Sequence, residues 1–200
     1  MSDIEIWFDF GSPYSHLSVN RIAAERPWNS VNVIWKPFLL GPIFKSFGWE
    51  TSPFSLQQAK GDYMWRDMAR QCRKYGVPWR RPSVFPRRAL LPTRVALIGA
   101  AQPWMPSFCK EIMRLNFGCD QEVDRADVVT AALKKVGAPA AEVIVAAQSE
   151  QNKASLREQT DLARSRGIFG APTFFAGEAM FWGNDRLDDA LACARLGVDG

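Results

Sequence analysis

The spacing of hydrophobic residues changes twice near the start of the chain. Residues 4–10 form an apolar and aromatic run that is typical of a buried strand. Apolar positions at helical spacing follow over 13–25, and a second strand-like run covers 31–37. Strand, helix and strand in this order predict a parallel strand pair joined by a right-handed crossover.

The middle of the chain has helical patterns and no convincing strand. Gly41-Pro42 interrupts the strand-like spacing, and a long helix is predicted over 151–166, before Gly167. Between them the apolar spacing predicts helices at 56–75, 93–101, 104–117, 124–136 and 139–147.

The last part of the chain returns to short strands. Residues 173–176 and 179–182 predict an antiparallel hairpin around a tight turn. A final helix is predicted over 185–195, with Asn184 or Asp185 as its cap.

The order of these elements predicts the organisation of the whole chain. Strand–helix–strand, a helical stretch, a helix and then strand–strand–helix is the order of a thioredoxin fold interrupted by helices. We therefore predict an α/β protein, a thioredoxin-like fold with an inserted all-helical domain. The thioredoxin-like domain would comprise residues 1–40 plus 156–200, and the helical insertion domain residues 41–155. A ligand cleft is expected where the insertion closes over the carboxyl end of the first strand.

Length and charge restrict the classes of function. The chain has 200 residues, enough to bury a full core without disulfide bonds or metals. The net charge is +4, and basic residues concentrate over 66–94, where Asp67 is the one acidic residue. A solvated helix face with a basic loop explains this stretch, and a positive rim that attracts carboxylates is the alternative. Nucleic acid is not an expected partner, since no motif for it appears.

Cysteine usage and the chain start indicate a reducing compartment. Neither metal spacing nor Cys-x-x-Cys occurs, so no metal is expected and each cysteine is predicted to be a buried small hydrophobe. These residues are Cys72, Cys109, Cys119 and Cys193. The first residues lead into a strand without a signal-peptide pattern, and no apolar run approaches the length that spans a bilayer. We therefore expect a cytoplasmic protein without a membrane partner.

The turn between the first strand and the first helix reads Ser12-Pro13-Tyr14-Ser15. Redox enzymes of the thioredoxin-like fold keep Cys-x-x-Cys there, and here oxygen replaces both sulfurs. A serine pair cannot shuttle electrons, but at a helix N-terminus it can hydrogen-bond to the sulfur of another molecule. The turn therefore indicates the handling of a small thiol rather than disulfide exchange. A simple N-cap serine before a proline is the alternative interpretation.

Three segments in this order carry a resemblance to a known family. They are residues 8–15 (FDFGSPYS), 167–174 (GIFGAPTF) and 181–187 (FWGNDRL), and residues 60–67 (KGDYMWRD) add to them. On these segments, and over nearly its whole length, the chain resembles the 2-hydroxychromene-2-carboxylate isomerase family. These are glutathione-dependent enzymes of bacterial aromatic degradation. They are related to kappa-class glutathione transferases and, more distantly, to DsbA-type oxidoreductases.

The resemblance implies glutathione as the cofactor. Ser12 would face the sulfur of bound glutathione and favour its thiolate without being the nucleophile itself. Ala171-Pro172 would be a cis-proline loop, with the main chain of Ala171 exposed to pair with glutathione as an added strand. The γ-glutamyl end would lie against four consecutive residues, Trp182, Gly183, Asn184 and Asp185. The carboxylate of Asp185 suits the α-amino group of glutathione.

The resemblance also implies a place for the organic substrate. Lys45 would lie beside it and hold a carboxylate or stabilise an enolate-like intermediate, and an exposed lysine is the alternative. Pro53, Phe54 and Phe85 would line the same pocket, where the naphthalene-pathway isomerases have polar residues. Trp49 stands where those enzymes and the kappa transferases tend to have Asn. These residues make the predicted pocket more apolar.

The activity implied is that of a glutathione-dependent isomerase acting on an unsaturated aromatic carboxylate. The thiolate would add reversibly, a bond would rotate or the ring would open, and elimination would return glutathione. The alternatives are a kappa-type glutathione transferase or peroxidase and a non-catalytic thioredoxin-like binding protein. Relatives are often dimers, and a homodimer is expected on that basis alone. The one histidine, His16, is predicted to pack on the first helix, with a proton carrier as the alternative.

Overall fold

A computed structural model of the protein describes residues 2–24 and 31–197. Within this part, four strands form one sheet in the order β2-β1-β3-β4. The strands are β1 (Ser2–Phe8), β2 (Val31–Pro37), β3 (Thr173–Ala176) and β4 (Ala179–Trp182). The predicted parallel pair is confirmed for β1 and β2, and the predicted hairpin for β3 and β4. The hairpin joins the sheet because β3 runs antiparallel to β1.

Ten α-helices surround this sheet in the described residues. They are α1 (Pro13–Ala24), α2 (Leu40–Ser46), α3 (Pro53–Leu56), α4 (Gln58–Tyr75), α5 (Leu90–Gly99), α6 (Met105–Phe117), α7 (Ala126–Lys135), α8 (Ala140–Gln148), α9 (Glu150–Ser165) and α10 (Leu187–Leu196). The helices predicted between residues 56 and 166 are confirmed with small shifts at their ends. None of the helices in the described part is both long enough and apolar enough to cross a membrane.

Two local predictions are wrong, and two short helices, α2 and α3, are not among the predicted elements. The first strand ends at Phe8 rather than at residue 10, because the Asp9 side chain accepts the N–H of Gly11 and starts a turn. Gly41-Pro42 ends the strand-like pattern as predicted but lies in the first turn of α2, where a proline is tolerated because the N–H groups there have no partner within the helix. Neither predicted cap residue begins α10, because a 3₁₀ turn at Asn184–Arg186 precedes it.

Strand β1 is covered on both faces, which explains its nearly continuous apolar sequence. Ile6 and Phe8 point into the largest core cluster, whereas Trp7 packs in a second cluster with Phe38 and Phe175. The sheet therefore lies between helical layers, and the carboxyl end of β1 opens between them.

The helical region shares its core with the sheet. Phe10, just after β1, packs edge-on against Phe108 of α6, with ring centroids 6.3 Å apart. Ile112 of α6 and Leu133 of α7 belong to the same cluster. Helix α6 is thereby fixed beside the turn that leads into α1. The division into domains at residues 41 and 155 stays a prediction.

Candidate active site

The turn after β1 ends at Ser12, which is buried and caps α1. Its side-chain oxygen accepts a hydrogen bond from the N–H of Ser15, at 3.2 Å, and Pro13 is the first helical residue. This is the arrangement of a helix N-cap. The same hydroxyl donates its proton to the carbonyl of Ala171, 2.8 Å away. Ser12 is therefore a cap and also a contact to the distant loop that the resemblance assigns to glutathione.

That loop lies between the Ser12 turn and the end of the β3–β4 hairpin. The Ala171–Pro172 peptide bond is cis, as the resemblance implied. The carbonyl of Pro172 accepts a hydrogen bond from the N–H of Gly183 at 3.0 Å, and Thr173 pairs with Trp182. Residues that are far apart in sequence thus meet at one edge of the sheet.

The four residues predicted for the γ-glutamyl end differ in accessibility. Trp182 is half exposed and packs against Phe169, with ring centroids 4.8 Å apart. Asn184 is buried, and its side-chain oxygen accepts hydrogen bonds from Ser18 and Arg21 of α1. Because that oxygen already has two donors, we assign Asn184 to holding the hairpin end against α1. Trp182 remains accessible to a ligand.

Asp185 is the exposed carboxylate of this segment, with 76% of its side chain accessible. It folds back over Gly183, whose backbone at φ 106 and ψ 153 lies in a region that is almost restricted to glycine. A Cβ atom on Gly183 would come within 2.5 Å of a carboxylate oxygen of Asp185. The glycine is therefore what allows Asp185 to occupy its place beside the loop.

Tyr14 and Asp67 join the site from opposite sides and were not predicted as site residues. The Tyr14 hydroxyl donates to the Asp67 carboxylate of α4, at 3.1 Å. Burial raises the pKa of Tyr14, and Asp67, Tyr63 and Asp185 raise it further, so the phenol stays protonated. The signals in the sequence were that Asp67 is the one acid in a long basic stretch and that Tyr14 lies within the Ser12-Pro13-Tyr14-Ser15 turn.

Aromatic side chains pack beside Tyr14 on the α4 side. Tyr14 lies 6.2 Å from Phe54 of α3, and Phe85 packs edge-on against Trp65 of α4 at 4.8 Å, both between ring centroids. The Arg81 guanidinium lies over Trp65, 4.9 Å from its ring centroid. Of the predicted pocket residues, Phe54 and Phe85 therefore line one apolar cluster. Pro53 begins α3 beside it.

Helix α2 starts beside the Ser12 turn and has Lys45 in its last turn. Asp9 connects the two, because its carboxylate accepts the N–H of Gly11 at 2.6 Å and the N–H of Leu40 at 2.8 Å. Burial raises the pKa of the Asp9 carboxyl, and these two hydrogen bonds oppose the rise. Lys45 is exposed in the last turn of α2, near the partly exposed Trp49. No described contact joins Lys45 to Ser12.

His16 packs in the interior, and its ring nitrogens are both used. Nε2 donates to the carbonyl of Pro78 at 2.9 Å, so Nδ1 is the acceptor that faces Asn20. The ring lies 5.3 Å from that of Phe117, between centroids. Burial lowers the pKa of His16 to about 4, so the ring is neutral in the folded protein at neutral pH. The interpretation of His16 as a packing residue fits this environment.

We expect His16 to make the protein acid-sensitive without affecting the pH–rate profile. Since the folded pKa of about 4 lies below the ordinary 6.5, the unfolded chain binds the extra proton as pH falls. The free energy of unfolding should decrease by about 2 kcal/mol between pH 7 and pH 5 from this residue. Urea unfolding of His16→Gln should show a correspondingly smaller decrease. Equal pH slopes in both proteins would show that His16 is not the cause.

The basic stretch 66–94 is not a uniform positive rim. Arg87 is buried and pairs with Asp120, and the exposed Arg88 pairs with Asp124. These acids come from the segment after α6, which the linear sequence does not place near the arginines. The predicted solvated surface, and the positive rim given as its alternative, are both wrong for Arg87, whose side chain is buried. The Arg81 guanidinium lies over the Trp65 ring instead.

The four cysteines differ in burial. Cys72 and Cys109 are buried as predicted, and burial raises the pKa of both thiols, to about 12 for Cys72. Cys119 and Cys193 are half-buried instead. Within residues 2–24 and 31–197, no cluster of histidine, cysteine or acidic residues could hold a metal ion.

Comparison with known proteins agrees with this geometry. A 2-hydroxychromene-2-carboxylate isomerase of Pseudomonas putida is 24% identical over 92% of this chain and 90% of its own length. Glutathione S-transferase kappa 1 of Caenorhabditis elegans is 25% identical over 92% of this chain and 87% of its own. The solved structure of a 2-hydroxychromene-2-carboxylate isomerase, 24% identical, superposes with a TM-score of 0.85 over 98% of this chain and 96% of that one.

The family model for the DsbA-like thioredoxin domain matches residues 3–192. The match covers both ends of the chain and the helical region between them. The predicted thioredoxin-like α/β fold is therefore confirmed, as is the predicted resemblance to the isomerases and the kappa transferases. The chain belongs to the family of DsbA-like thioredoxin domains.

Proposed function

We propose that this protein is a glutathione-dependent isomerase of an unsaturated aromatic carboxylate. The observation that carries the proposal is the place of Ser12, which caps α1 and contacts Ala171 beside the cis-proline. A thioredoxin-like turn with hydroxyls in place of both sulfurs has no means of disulfide exchange. It does offer a hydroxyl and a helix N-terminus to a sulfur that belongs to a bound molecule.

Glutathione would bind along the edge formed by the cis-proline loop and the hairpin end. Its cysteine main chain would pair with Ala171, and its α-amino group would lie at Asp185. The thiol would then face Ser12. The hydroxyl of Ser12 would turn from the Ala171 carbonyl to the sulfur, while that carbonyl accepts an N–H of glutathione. Such a donor at a helix N-terminus favours the thiolate over the thiol.

The reaction would use the thiolate without consuming it. When bound, glutathione would supply a thiolate that can add reversibly to a carbon of the substrate double bond, so that the bond can rotate before elimination returns the thiolate unchanged. Lys45 would stabilise the carboxylate or the enolate, and the apolar surface at Phe54 and Phe85 would bind the ring.

A kappa-type transferase or peroxidase is the second candidate, favoured by the aromatic cluster beside Tyr14. Phe54, Trp65 and Phe85 suit a hydrophobic electrophile as well as an aromatic acid. A non-catalytic binding protein with the same fold is the third. In all three cases we propose a cytoplasmic protein, where glutathione is kept reduced, and a homodimer as in many relatives.

The amount of glutathione consumed per molecule of product tests the proposed isomerase activity. The enzyme is incubated with a 2-hydroxychromene-2-carboxylate, or another unsaturated aromatic acid, and a small amount of reduced glutathione. Substrate and product are followed by NMR, and free thiol by a colorimetric assay. We expect many turnovers per glutathione and no loss of thiol. Loss of one thiol per product would indicate a transferase. Oxidation of the thiol when a hydroperoxide is added would indicate a peroxidase.

A further inference from the structure

A buried asparagine of the helical region is hydrogen-bonded to the turn that carries Ser12. Asn116, in α6, donates from Nδ2 to the carbonyl of Phe10, at 2.9 Å. Its Oδ1 accepts from the Arg87 guanidinium, at 3.1 Å. The orientation of the amide follows from its partners, because a guanidinium only donates and a carbonyl only accepts. Asn116 is therefore fixed between an arginine and the main chain two residues before Ser12.

Arg87 is itself held on several sides, so it presents a rigid donor to Asn116. Its guanidinium donates to the carbonyl of Gln121 at 2.9 Å and to the carboxylate of Asp120 at 2.6 Å. Asp120 also accepts from the N–H and the hydroxyl of Ser83. Only 2% of the Arg87 side chain is accessible. Charge-assisted hydrogen bonds in such a buried place are strong and directional.

The Ser12 turn is thereby held from two sides. A Cβ atom on Gly11 would lie 3.1 Å from Asp9 Oδ1 and 3.3 Å from the Arg87 carbonyl oxygen, so the Asp9 side chain and the Arg87 main chain both lie close to Gly11. The N–H of Ser12 bonds to the carbonyl of Asp9, at 3.0 Å. Asn116 contacts the turn through the Phe10 carbonyl. Loss of this hydrogen bond would let the peptide units before Ser12 rotate.

We propose that Asn116, fixed by Arg87, is a positioning residue for the glutathione thiolate. It touches neither cofactor nor substrate. By holding the Phe10 carbonyl it keeps the Ser12 hydroxyl and the first N–H groups of α1 directed at the sulfur. Small displacements of such donors reduce the stabilisation of a developing or resident negative charge. This inference rests on the proposed function, because it concerns the sulfur of bound glutathione.

The test is the pKa of the bound thiol in Asn116→Asp, followed by the ultraviolet absorbance of the thiolate. The aspartate side chain has nearly the same shape and keeps an acceptor for Arg87, but it has no donor for the Phe10 carbonyl. We expect the pKa of bound glutathione to rise by about one pH unit and the turnover at neutral pH to fall about tenfold. Asn116→Ala removes the same donor without adding a charge, and it is measured beside Asn116→Asp because a new carboxylate would itself raise the pKa of a nearby thiol. The inference requires the pKa to rise in Asn116→Ala as well.

The matched control is Asn20→Asp, another buried asparagine whose Nδ2 donates to a main-chain carbonyl, that of His16. It should lose stability to a similar degree and keep the wild-type thiol pKa. A wild-type thiol pKa in the folded Asn116 variant would overturn the inference and leave Asn116 a structural residue. Failure of the wild-type protein to bind glutathione would instead overturn the proposed function, and it is measured first.

Discussion

Replacement of Ser12 by alanine should lower kcat/KM of the glutathione-dependent reaction roughly 100-fold, the usual effect of removing one donor from a developing or resident anion. The variant loses the hydroxyl proton that would face the sulfur. It also loses the cap on the Ser15 N–H and the bond to the Ala171 carbonyl. The pKa of bound glutathione should rise toward that of the free thiol, so part of the activity should return at higher pH.

Ser149 provides a control that separates the loss of a helix cap from the loss of a catalytic hydroxyl. It caps α9 in the same way, accepting the N–H of Asn152 at 3.2 Å, far along the chain from the turn. Ser149→Ala should cost about 1 kcal/mol of stability, as loss of a cap does, and leave kcat/KM unchanged. If Ser12→Ala behaves like Ser149→Ala in both measurements, Ser12 is only a helix cap.

Gly183→Ala should weaken glutathione binding at least tenfold and lower the stability by roughly 2 kcal/mol. The backbone at Gly183 lies in a region that side chains strongly disfavour, and the new methyl group would displace the Asp185 carboxylate. The charged contact to the α-amino group of glutathione would then be lost. Calorimetric titration with glutathione and urea unfolding measure the two effects separately.

Gly167 is the matched glycine for this experiment. It also has a positive φ, of 78°, but a Cβ atom there would meet nothing within 4 Å. Gly167→Ala should therefore lower the stability by about 1 kcal/mol and keep the affinity for glutathione. Asp185→Asn should do the reverse, with weaker binding and nearly unchanged stability. Normal affinity in Gly183→Ala would exclude Asp185 from the binding site.

The sequence was informative where a feature depends on neighbours along the chain. The order of strands and helices, the Ser12 cap with its proline and the β3–β4 hairpin all follow from local patterns. The hydrophobic pattern did not predict α2 or α3, both of which have a proline in the first turn, where proline is tolerated although it breaks a helix in the middle. Local chemistry therefore predicted most elements and missed these two short helices.

Contacts between distant segments could not be predicted in this way. Asn116 and Phe10 are 106 residues apart, and neither is unusual in its own segment. Arg87 looked like part of a positive surface, because Asp120 and its burial become apparent only in three dimensions. The cis-proline loop and the residues at its edge were predicted through the resemblance, since no local rule brings Ala171 to Ser12.

Binding of the glutathione thiol at the Ser12 turn is tested by calorimetric titration of glutathione into the wild-type protein at neutral pH. We expect saturable one-to-one binding with release of protons as the thiol ionises, and weaker binding by Asp185→Asn. Absence of binding up to millimolar glutathione would contradict this expectation. The proposed glutathione-dependent function would then be wrong, although the thioredoxin-like fold would be unaffected.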